Sequence, residues 1–358
     1  MEISRPVPGF RAFVGCRTTI ERGARGRGIE VFDVSVSGRW QHRQTMAAGH
    51  NPSFLLVSPD QRLLYCAHGD GSTASSFRIG TDGLLQHLNT TATHGRNPVH
   101  LVVSPGGQWL LVANYATGDV VSIPIGFDGA LGAVAHQLRL PNRAGPHPTQ
   151  QKGAHPHQLV FDPSGHWLMV PDKGGDAIHT VQFNELTGSM ELVDSLATAP
   201  MTGPRHMVFS ADGQRAWIVL ELSSQVLCST FDPRRGRLAA LDCLSTVPED
   251  FEGENTGAGI ALLARGDLLF ISNRGHGSVV RFAVDQEQCV LGTPNWVPAQ
   301  GRVPRFIVLD PSDQTLLIAN EDDDSIMRLK TGVHDLTEVV RSGSPVCIAF
   351  ARRQEIEA

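Results

Sequence analysis

GAHPHQLVFDPSGHWLMVPDKGGDAIHTVQFN, residues Gly153 to Asn184, sets the pattern for the whole chain. It holds a short apolar run, a turn at Pro163-Ser164-Gly165, a second apolar run, a Gly-Gly turn, and a third run in which apolar and polar residues alternate. Short runs of this kind, punctuated by Gly, Pro and Asp, read as β-strands joined by tight turns. Two imidazoles, His155 and His157, stand at its entrance.

The same sentence recurs along the chain. Pro52, Pro98, Pro156, Pro204, Gly257, Pro304 and Pro345 each open a block, at intervals of 46, 58, 48, 53, 47 and 41 residues. A first strand follows each opener: FLLVSPD, HLVVSPG, QLVFDPS, HMVFSAD, IALLARG, FIVLDPS and CIAFA. In six blocks a second strand comes next, as in LLYCAHG, LLVANYA, LMVPDKG and WIVLELS, then a third, as in IHTVQF and QVLCSTF, and a weaker fourth, as in LLQHLNT. Four short strands per repeat of 40–50 residues is the signature of propeller blades. The seventh block stops after one strand, and FRAFVGC, IEVFDVSV and WQHRQTM near the N-terminus supply the three it lacks. The expected fold is therefore all-β: one seven-bladed propeller domain spanning residues 1–358, its closing blade built from residues 10–47 plus 344–350. Pairing the last strand with the first three removes an open sheet edge. Two stacked β-sandwiches would not explain the split block. There is no Trp-Asp dipeptide and no double glycine per blade, so the two best-known signatures of interaction propellers are missing.

Composition narrows the function. With 30 Lys+Arg against 36 Asp+Glu the net charge is -6, and no basic tail offers a nucleic-acid surface. No run approaches the roughly 18 apolar residues of a membrane span, so no membrane partner is expected. The opening MEISRPVPGFRAFVGC lacks an apolar signal core, which makes a cytoplasmic location the expectation. The six cysteines are widely separated, with no Cys-x-x-Cys pair, and read as reduced thiols.

In a propeller the first strands line a central channel, and two columns of the repeat should face its mouth. One residue after each opener stand Ser53, Val99, His157, Arg205, Ala258, Arg305 and Val346; seventeen after it stand Gly69, Tyr115, Lys173, Glu221, Arg274 and Glu321. An antiparallel pair sets the start of strand one beside the end of strand two, so both columns share one end of the channel. Charges gathered there amid apolar strands point to a binding site. The competing explanation is a set of solvated loop charges and interblade ion pairs, and Glu321 in its acidic run Glu321-Asp322-Asp323-Asp324 fits that better than most. His155 and His157 invite a metal reading, but a zinc or iron site needs three or four convergent ligands. The expectation is no metal and no cofactor. His100, His166 and His206 read as structural.

PHPTQQKGAHPHQLVFDPSG, GPRHMVFSADGQRAWIVLEL and ISNRGHGSVVRF resemble the lactonase-type seven-bladed propellers, a family that includes bacterial 6-phosphogluconolactonases and fungal 3-carboxy-cis,cis-muconate lactonising enzymes. The resemblance runs over residues 10–350. It implies a catalytic quartet of His157, Arg205, Glu221 and Arg274; the mouth columns and the His-Pro-His entrance add Lys173, Arg305, Tyr115 and His155 as expected substrate contacts. Gln150-Gln151 departs from the Arg-Gln pair commoner in the family. The implied substrate is a small anionic lactone or a muconate, without a metal. In hydrolysis, Arg205 or Arg274 would stabilise the oxyanion and His157 or Glu221 would take the proton from water. In the cycloisomerase, the arginines would hold carboxylates and His157 or Glu221 would deliver a proton to carbon. A non-catalytic propeller binding a partner on its rim is the third reading. Since the columns end strands at a solvated mouth, substitutions there are expected to leave folding intact.

Overall fold

The computed structural model describes residues 9–285, 287–288, 290–331 and 335–352. Seven antiparallel sheets are arranged around one channel. Their innermost strands are Pro52–Val57, Pro98–Val103, Val160–Phe161, Pro204–Phe209, Gly257–Leu262, Pro304–Leu309 and Pro345–Arg352. These strands open blades one to seven. Blade seven joins both ends of the chain, Pro345–Arg352 pairing with Phe10–Cys16, which pairs with Ile29–Val34 and that with Trp40–Met46. Among the described residues the only helical element is the three-residue 3-10 turn Ile20–Arg22, and no helix is long and apolar enough to cross a membrane. Cys289 lies outside the described residues; Cys16, Cys66, Cys228, Cys243 and Cys347 are free thiols.

The middle strands carry the stability. Each presents apolar residues to both neighbouring blades, so it reads as a near-continuous run such as LLVAN or WIVL and is buried almost throughout. Trp217, Ile271 and Phe282 fill the seam between blades four and five, and Leu111, Leu159 and Val170 the seam between two and three. Each such side chain contributes roughly 1.5–3 kcal/mol of burial. The fourth strands alternate buried and exposed residues, as in MELVDSLA, because one face meets solvent. The third block departs from expectation: its inner strand is reduced to Val160–Phe161, and Pro156 makes a single bridge to Asp172. The fifth sheet has an extra two-residue strand, Val290–Leu291.

One irregularity repeats in every blade and creates the site. Register slips by one residue directly after the opener: Pro52 faces His68 but Phe54 faces Ala67, and Pro304 faces Asn320 but Phe306 faces Ala319. The slip recurs after Pro98, Pro204 and Gly257, between the Pro156 bridge and Val160, and opposite the Gly15/Cys16 irregularity in blade seven. A β-bulge frees the extra residue from the ladder and re-aims its side chain. The residues freed here are those of the first column. Proline suits the opener, since its missing N–H costs nothing at a strand's first position.

Candidate active site

A second repeated contact fixes the other column. The N–H groups of Gly69, Tyr115, Lys173, Glu221, Arg274 and Glu321 donate to the carbonyls of Asn51, Asn97, His155, Gly203, Thr256 and Val303, each the residue just before an opener. The Arg17 N–H makes the same bond to Ser344 O, just before Pro345. Arg17 is therefore the seventh member of the column. Sequence alignment missed it because its blade is split between the termini, so no fixed offset links it to Pro345. Read as the residue after the second strand FRAFVGC, it is visible in the sequence.

The two columns converge on a cavity of about 200 Å³ at the channel mouth. Ser53, Val99, His157, Arg205, Arg305 and Val346 line it from the first column, and Tyr115, Lys173, Glu221, Arg274 and Arg17 from the second. Arg22, Asn97, Gln150 and His206 also reach it. Gly69, Ala258 and Glu321 do not line it. Of the eight candidate catalytic and substrate-contact residues, His155 alone stays outside: its ring stacks on Tyr115 at 4.5 Å, and its Nδ1 is 2.8 Å from Tyr115 O. It shapes the wall instead of touching a ligand.

Glu221 is the centre of the charge network. Its Oε1 accepts from Lys173 Nζ at 2.6 Å and lies 2.9 Å from Arg274 Nη2, and its Oε2 is 2.8 Å from Arg205 Nε. Burial by itself would raise its pKa, but Arg274, Lys173 and Arg205 outweigh that and hold it well below the usual carboxylate range. Arg205 also donates to Ala258 O at 2.6 Å, and Arg274 to Gly257 O at 3.2 Å. Burial lowers Lys173, partly offset by Glu221, and pulls Arg205 down to about 9, so the guanidinium stays charged at neutral pH. Gln150 accepts from Lys173 Nζ at 2.6 Å, and Gln151 donates to Lys173 O at 3.0 Å. The long loop before His155 is thus pinned to the site by Gln150, which departs from the family pattern, and Gln151, which keeps to it. Glu321 is not a solvated turn residue: it sits 2.8 Å from Arg17 and 3.7 Å from Arg305.

His157 stands apart from this network. Burial, reinforced by Arg205, pushes it well below its ordinary value, so it is a neutral imidazole at pH 7. Its Nδ1 is buried with no hydrogen-bond partner. Its ring meets Tyr115 edge-on at 5.6 Å and His206 at 5.2 Å, and His206 meets His100 at 5.7 Å. Sequence reading set His206 aside as structural, yet it lines the cavity, because the bulge in blade four loosens both Arg205 and His206 from the ladder. The expectation of a solvated mouth also fails: Glu221 is 3 % exposed, and His157 and Arg205 are buried too. Among the described residues no three His, Cys, Asp or Glu side chains stand together as a metal-ligand set.

The sequence model of the family described as "Lactonase, 7-bladed beta-propeller" matches residues 11–350. The chain belongs to that lactonase family. A 6-phosphogluconolactonase of Bacillus subtilis is 29% identical over 211 residues, and the match spans 58% of this chain and 60% of that enzyme. A solved structure from Bacteroides fragilis, described as a putative 6-phosphogluconolactonase, superposes with a TM-score of 0.87 at 26% identity, covering 98% of this chain and 100% of the other. A Pseudomonas aeruginosa protein described as a periplasmic gluconolactonase superposes with a TM-score of 0.85 at 28% identity, covering 96% and 99%. The lactonase propeller thus presents, at one end of its channel, a neutral imidazole beside guanidinium groups locked on a single carboxylate.

Proposed function

We propose that this lactonase propeller hydrolyses the lactone of a small anionic sugar acid, with 6-phosphogluconolactone as the first candidate. The observation that carries the reading is the pairing of a buried, neutral His157 with cationic walls. A neutral imidazole accepts a proton at pH 7, whereas a carboxylate held strongly ionised by three cations is a weak base. His157 is therefore the general base in this reading, and Glu221 is the post on which Arg205 and Arg274 are positioned.

A water held by His157 attacks the lactone carbonyl and gives its proton to the imidazole. The charge that develops on the carbonyl oxygen falls beside the guanidinium groups of Arg205 and Arg274, whose orientation is already set by Glu221 and by the Ala258 and Gly257 carbonyls. Collapse of the tetrahedral intermediate breaks the ring C–O bond. The imidazolium returns the proton to the leaving alkoxide, giving the open hydroxy acid. This route uses only groups of the chain. The wall cations raise the local concentration of an anionic substrate. The relatives named as 6-phosphogluconolactonases support this substrate class, and the one named as a gluconolactonase supports a sugar lactone without the anionic group.

The test is turnover of a substrate panel, with and without strong chelator: 6-phosphogluconolactone, the unphosphorylated gluconolactone and 3-carboxy-cis,cis-muconate. Hydrolysis of the phosphorylated lactone well above its spontaneous rate, insensitive to chelator, is expected. Cyclisation of the muconate without lactone hydrolysis would move the assignment to the cycloisomerase. Spontaneous rates throughout would leave a binding propeller, and chelator sensitivity reversed by one divalent ion would overturn the metal-free route.

A further inference from the structure

Blades four and six carry the same pair of residues in the same two columns: Arg205 with Glu221, and Arg305 with Glu321. The two copies are not in the same state. In blade four the arginine Nε lies 2.8 Å from its carboxylate, and its Nη1 donates to Ala258 O, the first-column carbonyl of the next blade. In blade six the Arg305 Nε lies 3.7 Å from Glu321 Oε2, beyond hydrogen-bond distance, while Glu321 Oε1 is taken by Arg17 at 2.8 Å. Arg305 makes no hydrogen bond to the described residues. A guanidinium has five N–H donors, and those of Arg305, partly exposed at the cavity, are left free for a ligand.

The charge count agrees. The lining cations Arg17, Arg22, Lys173, Arg205, Arg274 and Arg305 face three carboxylates: Glu221 in the wall, and Glu321 and Asp70 paired with wall arginines. Arg17 and Arg22 both spend their contacts on Asp70 or Glu321. Lys173, Arg205 and Arg274 share Glu221, whereas Arg17, Arg22 and Arg305 share Asp70 and Glu321, and in that second group Arg305 is the member left without a hydrogen bond; burial pulls its pKa down to about 10, with Arg17 adding to the fall and Glu321 opposing it. The same cavity also has neutral lining: Ser53 from blade one, Val346 from blade seven, and Asn97, whose Oδ1 accepts from the Asp70 N–H.

We propose that Arg305 is the receptor for a dianionic phosphate monoester at the end of the substrate remote from the scissile carbonyl, and so sets specificity without taking part in the chemistry. A planar guanidinium fork matches two phosphate oxygens at once, and a dianion suits the excess of wall charge better than a single carboxylate does. This rests on the lactonase reading above. It adds that blade six, not blade four, reads the substrate's charge.

The experiment has two arms. In the first, kcat/KM is measured for 6-phosphogluconolactone, the unphosphorylated lactone and a carboxylated sugar lactone in wild type, Arg305→Met and Arg305→Lys. The preference for the phosphorylated over the unphosphorylated lactone should fall about 10–100-fold in Arg305→Met. The fall should appear in KM with kcat held, and Arg305→Lys should recover part of it. Melting temperature should change little, since Arg305 has no hydrogen bond to lose, and relief of its repulsion with Arg17 offsets loss of the 3.7 Å ion pair with Glu321. An unchanged preference, a fall confined to kcat, or a preference for the carboxylated lactone that vanishes instead would each overturn the assignment. The second arm titrates 6-phosphogluconate by calorimetry and needs no turnover. If no lactone is hydrolysed yet Arg305→Met weakens this binding about 10–100-fold, the hydrolase reading fails and the subsite stands; turnover with binding indifferent to Arg305 gives the reverse.

Discussion

Glu221 and His157 sit in one cavity yet should respond to substitution in opposite ways. Glu221→Gln keeps shape but withdraws the only carboxylate that Lys173, Arg205 and Arg274 share. Leaving buried cations unpaired costs on the order of 3–5 kcal/mol. Glu221→Gln should therefore lower the melting temperature by several degrees and also reduce turnover, because the two arginines lose their post. His157→Asn removes a ring whose Nδ1 has no partner, so stability should change little. If the imidazole is the general base, its loss should lower kcat by roughly 10²–10⁴-fold with KM nearly constant. Steady-state kinetics and a melting curve on each variant check both claims. Unimpaired turnover in His157→Asn with unchanged melting would remove the imidazole from the chemistry. The earlier idea that these positions tolerate any change came from treating strand ends as solvated, which the interblade ion pairs contradict.

At the scale of strands, legibility followed the repeat. FRAFVGC and WQHRQTM form strands with the bounds read from the sequence. The paired columns were legible because a fixed offset of seventeen is a property of the repeat itself. The bulge that makes the first column face the channel was not, because no residue type marks it: Ser, Val, His, Arg and Ala all occupy the freed position. Arg17 was hidden by the split blade and Gln150 by a loop without a counterpart in other blocks. The strand that closes the ring, Pro345–Arg352, buries Val346, Cys347, Ile348 and Ala351 and covers the edge of Phe10–Cys16. Val346 and Ile348 alone represent roughly 3–6 kcal/mol of burial, and an uncovered Phe10–Cys16 would be an unpaired edge. Truncation from Ser344 onward should therefore give aggregated protein by size-exclusion chromatography. A soluble, monodisperse truncation with native far-UV dichroism would show that the ring does not depend on this strand.

Across the whole molecule the blades bury more imidazole than the cavity needs, and this makes stability depend on pH. His68, His100, His157 and His206 are all buried, and burial lowers all four from the ordinary value, His100 to about 3. In the unfolded chain each should titrate near about 6.5. Between each histidine's lowered folded value and about 6.5 the unfolded state therefore binds more protons than the folded state, and unfolding takes up protons there. Stability is full above that value and declines as pH falls, by up to about 1.4 kcal/mol per pH unit for each histidine. Four acting together make the decline steep well before the carboxylates join. Glu221, held low by its three cations, adds the same sign below about pH 4.5. Guanidinium unfolding at pH 8, 7, 6 and 5.5 should give a free energy that is level between pH 8 and 7 and drops sharply by 5.5. His206→Gln, which removes one titrating ring from the buried row, should make the drop shallower by about a quarter of its slope. A free energy level down to pH 5.5 would mean that the folded protein accepts these protons, and burial would then not be what holds His157 neutral.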